Sequence, residues 1–120
     1  MIEAIIFDWV GTLYQFGGKG LFPYSERVLR ELHPRYKLAV IVDADKSPEQ
    51  FIECMRRLNV RPENTLVVDD RIVRGIQIGN ALGCKTALVR NGKYANKIPT
   101  KKKGKPTYKI KSVEDLLTIL

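Results

Sequence analysis

The sequence is short of the residues that cross-link small proteins. Its 120 residues include two cysteines, one histidine and one tryptophan. Cys54 and Cys84 are too few and too far apart for a disulfide framework or a zinc site. Reduced thiols in a cytoplasmic protein are therefore expected. No apolar run approaches the roughly 20 residues of a membrane span, so no membrane partner is expected. Met1-Ile2-Glu3 lacks the basic start of a secretory leader. Acid is also missing from one long stretch: between Lys85 and Lys111 there are ten Lys or Arg and no Asp or Glu.

That stretch accounts for the net charge of +8, since residues 1–60 carry 8 basic and 8 acidic side chains. The charge belongs to one segment rather than to the whole chain. It reads either as a nucleic-acid or acidic-partner surface across residues 85–111 or as a solvated lysine-rich face. A hydrophobic content of 44% is enough to bury a core. The length fits one domain over residues 1–120, with a basic loop at 91–106 inside it.

Short apolar runs alternate with helical patterns. Ile2–Phe7 and Lys37–Val42 read as buried strands, Thr65–Val68 and Thr86–Val89 as a third and a fourth, and a fifth falls around Tyr108–Ile110. Ser25–Leu32 reads as a helix stopped by Pro34, with His33 near its C-terminus. Ser47-Pro48-Glu49-Gln50 opens another, with Ser at the N-cap, Pro in the first turn and Gln at N3. The stripe Phe51, Ile52, Met55 and Leu58 continues it. Val73–Leu82 is expected to be helical up to Gly83, and a capped helix follows Ser112. This order implies an α/β protein, a three-layer sandwich around a parallel sheet.

In such sheets ligands gather at the carboxyl ends of the strands. Acidic residues stand at three of those ends: Asp8, Asp43 and the pair Asp69-Asp70. Carboxylates brought together there repel unless a proton or cation neutralises them, and hard oxygen donors suit Mg²⁺. The same residues are also common in ordinary strand-ending turns.

Ile5-Ile6-Phe7-Asp8-Trp9-Val10-Gly11-Thr12-Leu13 resembles the first motif of the haloacid dehalogenase-like (HAD) superfamily, a hydrophobic strand followed by Asp-x-Asp-Gly-Thr-Leu. Lys46-Ser47-Pro48-Glu49-Gln50-Phe51 resembles the segment carrying the third motif. Pro62 to Asp70 resembles the approach to the fourth motif in its Asp-Asp form, and Gly79 to Thr86 the helix and strand that follow. The resemblance implies a capless HAD-like sandwich and a Mg²⁺-dependent phosphohydrolase or phosphotransferase. In it Asp8 matches the nucleophile and Lys46 the lysine that steadies it. Asp8, the Val10 carbonyl, Asp69 and Asp70 match the metal ligands. Gly11, Thr12 and Asp43 match phosphate-facing positions, with the Gly11 amide available to the phosphate. The implied substrate is a phosphorylated small molecule or phosphoprotein, and an open site also admits completion by a second copy of the chain.

Three positions depart from the pattern. Val10 stands where the phosphatases have the acid/base Asp, a group typically worth about 10²–10⁴-fold in rate. Val42 stands where Ser or Thr usually contacts phosphate, and Gly75 where a second acid often follows. These departures imply a slow enzyme or one restricted to good leaving groups. The alternatives are a catalytically silent HAD-like domain that holds a metal or ligand, and an RNA- or acidic-partner-binding protein acting through 85–111.

Overall fold

The computed structural model describes residues 1–90 and 104–120, so most of the expected basic loop at 91–106 lies outside the described residues. Five parallel strands form one sheet: β1 (Ala4–Asp8), β2 (Lys37–Ile41), β3 (Thr65–Asp69), β4 (Lys85–Val89) and β5 (Tyr108–Ile110). Their order across the sheet is β2-β1-β3-β4-β5. Helices α1 (Ser25–Leu32), α2 (Pro48–Leu58), α3 (Gln77–Leu82) and α4 (Leu116–Ile119) connect and cover them.

Alternation along the strands sends neighbouring side chains to opposite faces. Ile5, Phe7, Leu66 and Val68 meet Val28 and Leu32 of α1 and Leu116 of α4. Ile6 and Val67 meet Phe51 and Met55 of α2. The result is the expected α/β/α sandwich. Among the described residues no helix is long and apolar enough to cross a membrane, and both cysteines are free.

β1 and β3 are buried along their whole length, as their unbroken apolar runs predict. β2 differs from its expectation. It ends at Ile41, one residue early, and of its residues only Ile41 is buried. The reason is position: β2 is the margin of the sheet, paired on one side with β1 alone. Hydrophobicity does not distinguish a central from a marginal strand. The α2 start follows the expected signals, with Ser47 at the N-cap and its N–H donated to Gln50 Oε1 at 2.8 Å. Its stripe is narrower than expected, because Ile52 faces solvent while Phe51 and Met55 are buried.

The regular part of α3 begins at Gln77 rather than Val73. Residues Ile72–Ile76 form a wider turn in which Arg74 leaves helical geometry (φ −109°, ψ −105°). Two of the connections on the carboxyl side of the sheet are short. Residues 9–24 join β1 to α1, and residues 42–47 join β2 to α2, with no cap domain in either.

Candidate metal and phosphate site

Strand register assembles the site. Phe7 pairs with Val68 in the parallel β1–β3 ladder, so the next residues, Asp8 and Asp69, end adjacent strands side by side. Asp70 is one residue further on. One carboxylate oxygen from each of the three lies within 4.8 Å of the others, and all three residues are buried.

The three acids have different surroundings. Asp8 is paired: Lys46 Nζ lies 2.5 Å from Oδ1, and the Thr12 hydroxyl donates to Oδ2 at 3.2 Å. Asp69 is held by backbone: the Arg71 N–H donates to Oδ1 at 3.1 Å and the Gly75 N–H to Oδ2 at 3.0 Å. Among the described residues, Asp70 has no hydrogen-bond partner for either carboxylate oxygen, although both are buried. Burial first, then the charges of Asp69 and Asp8, pushes its carboxyl up to about 9. Asp69 is raised to about 6, by burial and then by the Asp8 charge, while Lys46 and the Arg71 amide oppose the shift. A buried acceptor pair without donors costs about 1–3 kcal/mol, and more when charged. A hard cation relieves all of these penalties together, so the donor set fits Mg²⁺.

Two glycines make room for the carboxylates. Gly11 adopts φ +90°, and a Cβ there would overlap Asp70 Oδ2. A Cβ on Gly75 would overlap Asp69 Oδ2. The apparent absence of an acid at residue 75 is therefore a packing requirement: the backbone amide holds Asp69 and leaves no space for a side chain.

The sequence-expected residues divide. Asp8, Lys46, Asp69 and Asp70 converge, with Thr12 beneath Asp8. The Lys46 side chain is 4% exposed, which removes the alternative of a solvated surface lysine. Gly11 does not offer its amide outward as expected, because that N–H is donated to Tyr14 O at 2.7 Å. The turn closes on itself: Trp9 O accepts from the N–H groups of Thr12, Leu13 and Tyr14, and the Trp9 and Tyr14 rings stack at 5.2 Å. Asp43 stays outside the cluster. Its carboxylate accepts from Gln50 Nε2 at 2.6 Å, and only its backbone oxygen faces Lys46, at 2.8 Å.

A cavity of about 280 Å³ opens onto this cluster. Asp8, Lys46, Asp70 and Arg71 supply its polar lining, and Val10, Phe16, Val42 and Ala44 its apolar lining. Sequence reasoning missed Phe16 and Arg71. Phe16 lies within a glycine-rich loop without periodicity, and Arg71 simply follows the acidic pair. An ion pair between Arg74 and Asp45, 3.2 Å apart, joins the loops after β3 and β2.

A family model described as HAD-hydrolase-like matches residues 45–116, more than half of the chain and the part holding Lys46, Asp69 and Asp70. The chain belongs to the HAD-hydrolase-like family. A glyceraldehyde 3-phosphate phosphatase of Methanopyrus kandleri is 35% identical over 74 residues, covering 62% of this chain and 32% of the relative. The chain thus spans about a third of the length of the curated relative it matches. Among solved structures, L-2-haloacid dehalogenase of Xanthobacter autotrophicus aligns with a TM-score of 0.74 at 13% identity, covering 99% of this chain and 98% of the other. The HAD-hydrolase YfnB of Bacillus subtilis, bound to magnesium, aligns with a TM-score of 0.60 at 17% identity, covering 86% of this chain and 57% of the other. These two likenesses concern the fold. The HAD-like fold expected from the four motif segments in order is thus established by family and architecture together, although the family match begins beyond Asp8.

Proposed function

We propose that this HAD-like domain is a Mg²⁺-dependent phosphohydrolase or phosphotransferase in which Asp8 is the nucleophile. The observation that carries the reading is the buried Asp70 carboxylate, without a hydrogen-bond partner among the described residues, beside the Lys46–Asp8 pair. The resemblance of the M. kandleri phosphatase supports a phosphorylated substrate, and the magnesium in the B. subtilis neighbour supports the metal. Asp8, Asp70 and the Val10 carbonyl would hold Mg²⁺, with Asp69 adding negative charge behind them. When bound, the cation neutralises the carboxylates and withdraws charge from the phosphoryl oxygens.

The chain's own residues do the rest. A carboxylate oxygen of Asp8 bonds to phosphorus while the bond to the leaving oxygen breaks, and the electron pair departs with that oxygen. Water then attacks phosphorus and regenerates Asp8 with release of phosphate; a phosphotransferase uses an acceptor hydroxyl instead. Thr12 and Lys46 fix the carboxylate rotamer, and Lys46 offsets charge on the phosphoryl group. Val10 cannot protonate a leaving group, so oxygens that leave without a proton, such as those of aryl and acyl phosphates, are the expected substrates.

A phosphatase panel with Mg²⁺, run beside Asp8→Asn, tests the reading. Phosphate release from aryl or acyl phosphates that vanishes in Asp8→Asn is expected. Release unchanged by Asp8→Asn, or absent throughout, overturns it. The valine at residue 10 favours a second reading, a domain that binds Mg²⁺ without turnover. Mg²⁺ binding by calorimetry with no phosphate release from any substrate would select it.

A further inference from the structure

We infer that the ester substrate of this site is an aryl phosphate, whose ring seats on an apolar wall made by Val10, Phe16 and Val42. The inference rests on the phosphoryl-transfer reading and adds the leaving group to it. The three side chains line the same cavity as Asp8, Lys46 and Asp70, so a phosphoryl group at the carboxylate end places its substituent against them. Two of them are unusually exposed for large aliphatic residues: Val10 is 40% and Val42 62% exposed. The flat face of a ring covers such a surface, whereas a polyol would leave its hydroxyls unpaired against it. At about 280 Å³ the cavity is at the small end of ligand pockets and has room for a phosphoryl group with one ring.

The leaving-group chemistry agrees. In the transfer the Asp8 oxygen–phosphorus bond forms and the phosphorus–aryl oxygen bond breaks, with the electron pair leaving on the aryl oxide. A phenol has a pKa of about 10, so its oxide departs without a proton donor at residue 10 and takes its proton from water afterwards. An alkoxide is far more basic and needs the acid that Val10 lacks. One wall residue, Val10, thus both removes the donor and supplies apolar surface. The shared chemistry is a phosphorylated phenol, either a free small molecule or a phosphotyrosine side chain.

The test compares phenyl phosphate, glycerol phosphate, acetyl phosphate and a phosphotyrosine peptide on the intact chain with Mg²⁺. Calorimetry of phenylphosphonate against methylphosphonate adds a readout that needs no turnover. Phenyl phosphate is expected to exceed glycerol phosphate in kcat/KM by at least about tenfold, and phenylphosphonate to bind more tightly than methylphosphonate. Phe16→Ala and Val42→Ser should each lower the phenyl-to-acetyl kcat/KM ratio about tenfold, with circular dichroism showing an unchanged fold. Val42 is exposed, so its variant tests the wall even if Phe16→Ala fails to fold. Where phenyl phosphate exceeds glycerol phosphate, faster release from the peptide assigns a protein source and faster release from phenyl phosphate a free phenol; both uphold the inference. Acetyl phosphate turnover that depends on Asp8, with phenyl phosphate no better than glycerol phosphate, overturns the inference and leaves the phosphoryl-transfer reading standing. If no compound is turned over, that reading fails, and equal binding of the two phosphonates overturns the wall as well.

Discussion

The carboxyl end of β2 and the carboxyl ends of β1 and β3 look alike in the sequence: an apolar run closed by aspartate. In the structure they are opposites. Asp43 and Asp45, after β2, spend their charge on the protein's own donors, Gln50 and Arg74, at an exposed margin. Asp8, Asp69 and Asp70, at the ends of the central strands, are buried together, and among the described residues Asp70 is left without a donor. An acid at a strand end is therefore not a ligand by virtue of its position. It becomes one where burial removes water and the neighbours supply no compensating hydrogen bond, so that only a proton or a cation can complete it.

The sharpest way to break this contrast is to remove the proposed nucleophile. Asp8→Asn should reduce Mg²⁺-dependent phosphate release by at least about 10³-fold, to background, as measured with acetyl phosphate. A residual rate near the parent's would place the chemistry elsewhere.

Asp70→Asn separates the two ends of the sheet by stability rather than rate. It should abolish the thermal stabilisation that Mg²⁺ confers. In chelator at pH 8 it should raise Tm, because the cost of keeping a buried carboxyl protonated far above its ordinary range is gone. A lower Tm in chelator would show that Asp70 is satisfied by the protein itself.

Gly75→Ala tests the packing behind Asp69. The added Cβ overlaps Asp69 Oδ2, so stability should fall by about 1–3 kcal/mol in urea unfolding. Tolerance of alanine would return Gly75 to being a simple missing acid.

The pH dependence follows from the raised carboxyls. Folding favours their protonated forms, so between about pH 4 and pH 9 the metal-free folded chain binds more protons than the unfolded chain. This contribution to stability is present at low pH and is lost as pH rises through about 6 and then about 9. Scanning calorimetry in chelator should show it as a falling contribution to Tm across that window. Added Mg²⁺ should flatten the fall, with a gain that grows as pH rises.

The smallest effect belongs to the β2 end. Asp43→Asn should change stability by no more than about 0.5 kcal/mol and leave Mg²⁺ affinity unchanged, since among the described residues its carboxylate hydrogen-bonds only Gln50. A large loss of Mg²⁺ affinity would erase the distinction between the two strand ends.

Much was legible from residue order alone. Apolar runs marked the first four strands, and Ser47-Pro48-Glu49-Gln50 marked the start of α2. Asp8, Lys46, Asp69 and Asp70 stood out because motif chemistry ties residue type to strand ends. The rest depended on contacts between distant segments. That β2 is marginal follows from strand order, which local hydropathy does not encode. That the Gly11 amide is occupied follows from how residues 9–14 close on Trp9 and Tyr14. Phe16 and Arg71 carry no periodic signal, so only the cavity reveals them.

By itself the sequence determined the alternation of strand and helix, the family and the residue types able to hold a cation, because these depend on local patterns of polarity and spacing. Tertiary structure alone decided which aspartates are satisfied and which is not. That outcome depends on the β1–β3 register, on two glycines leaving room for carboxylates, and on the burial that makes an unpartnered charge expensive.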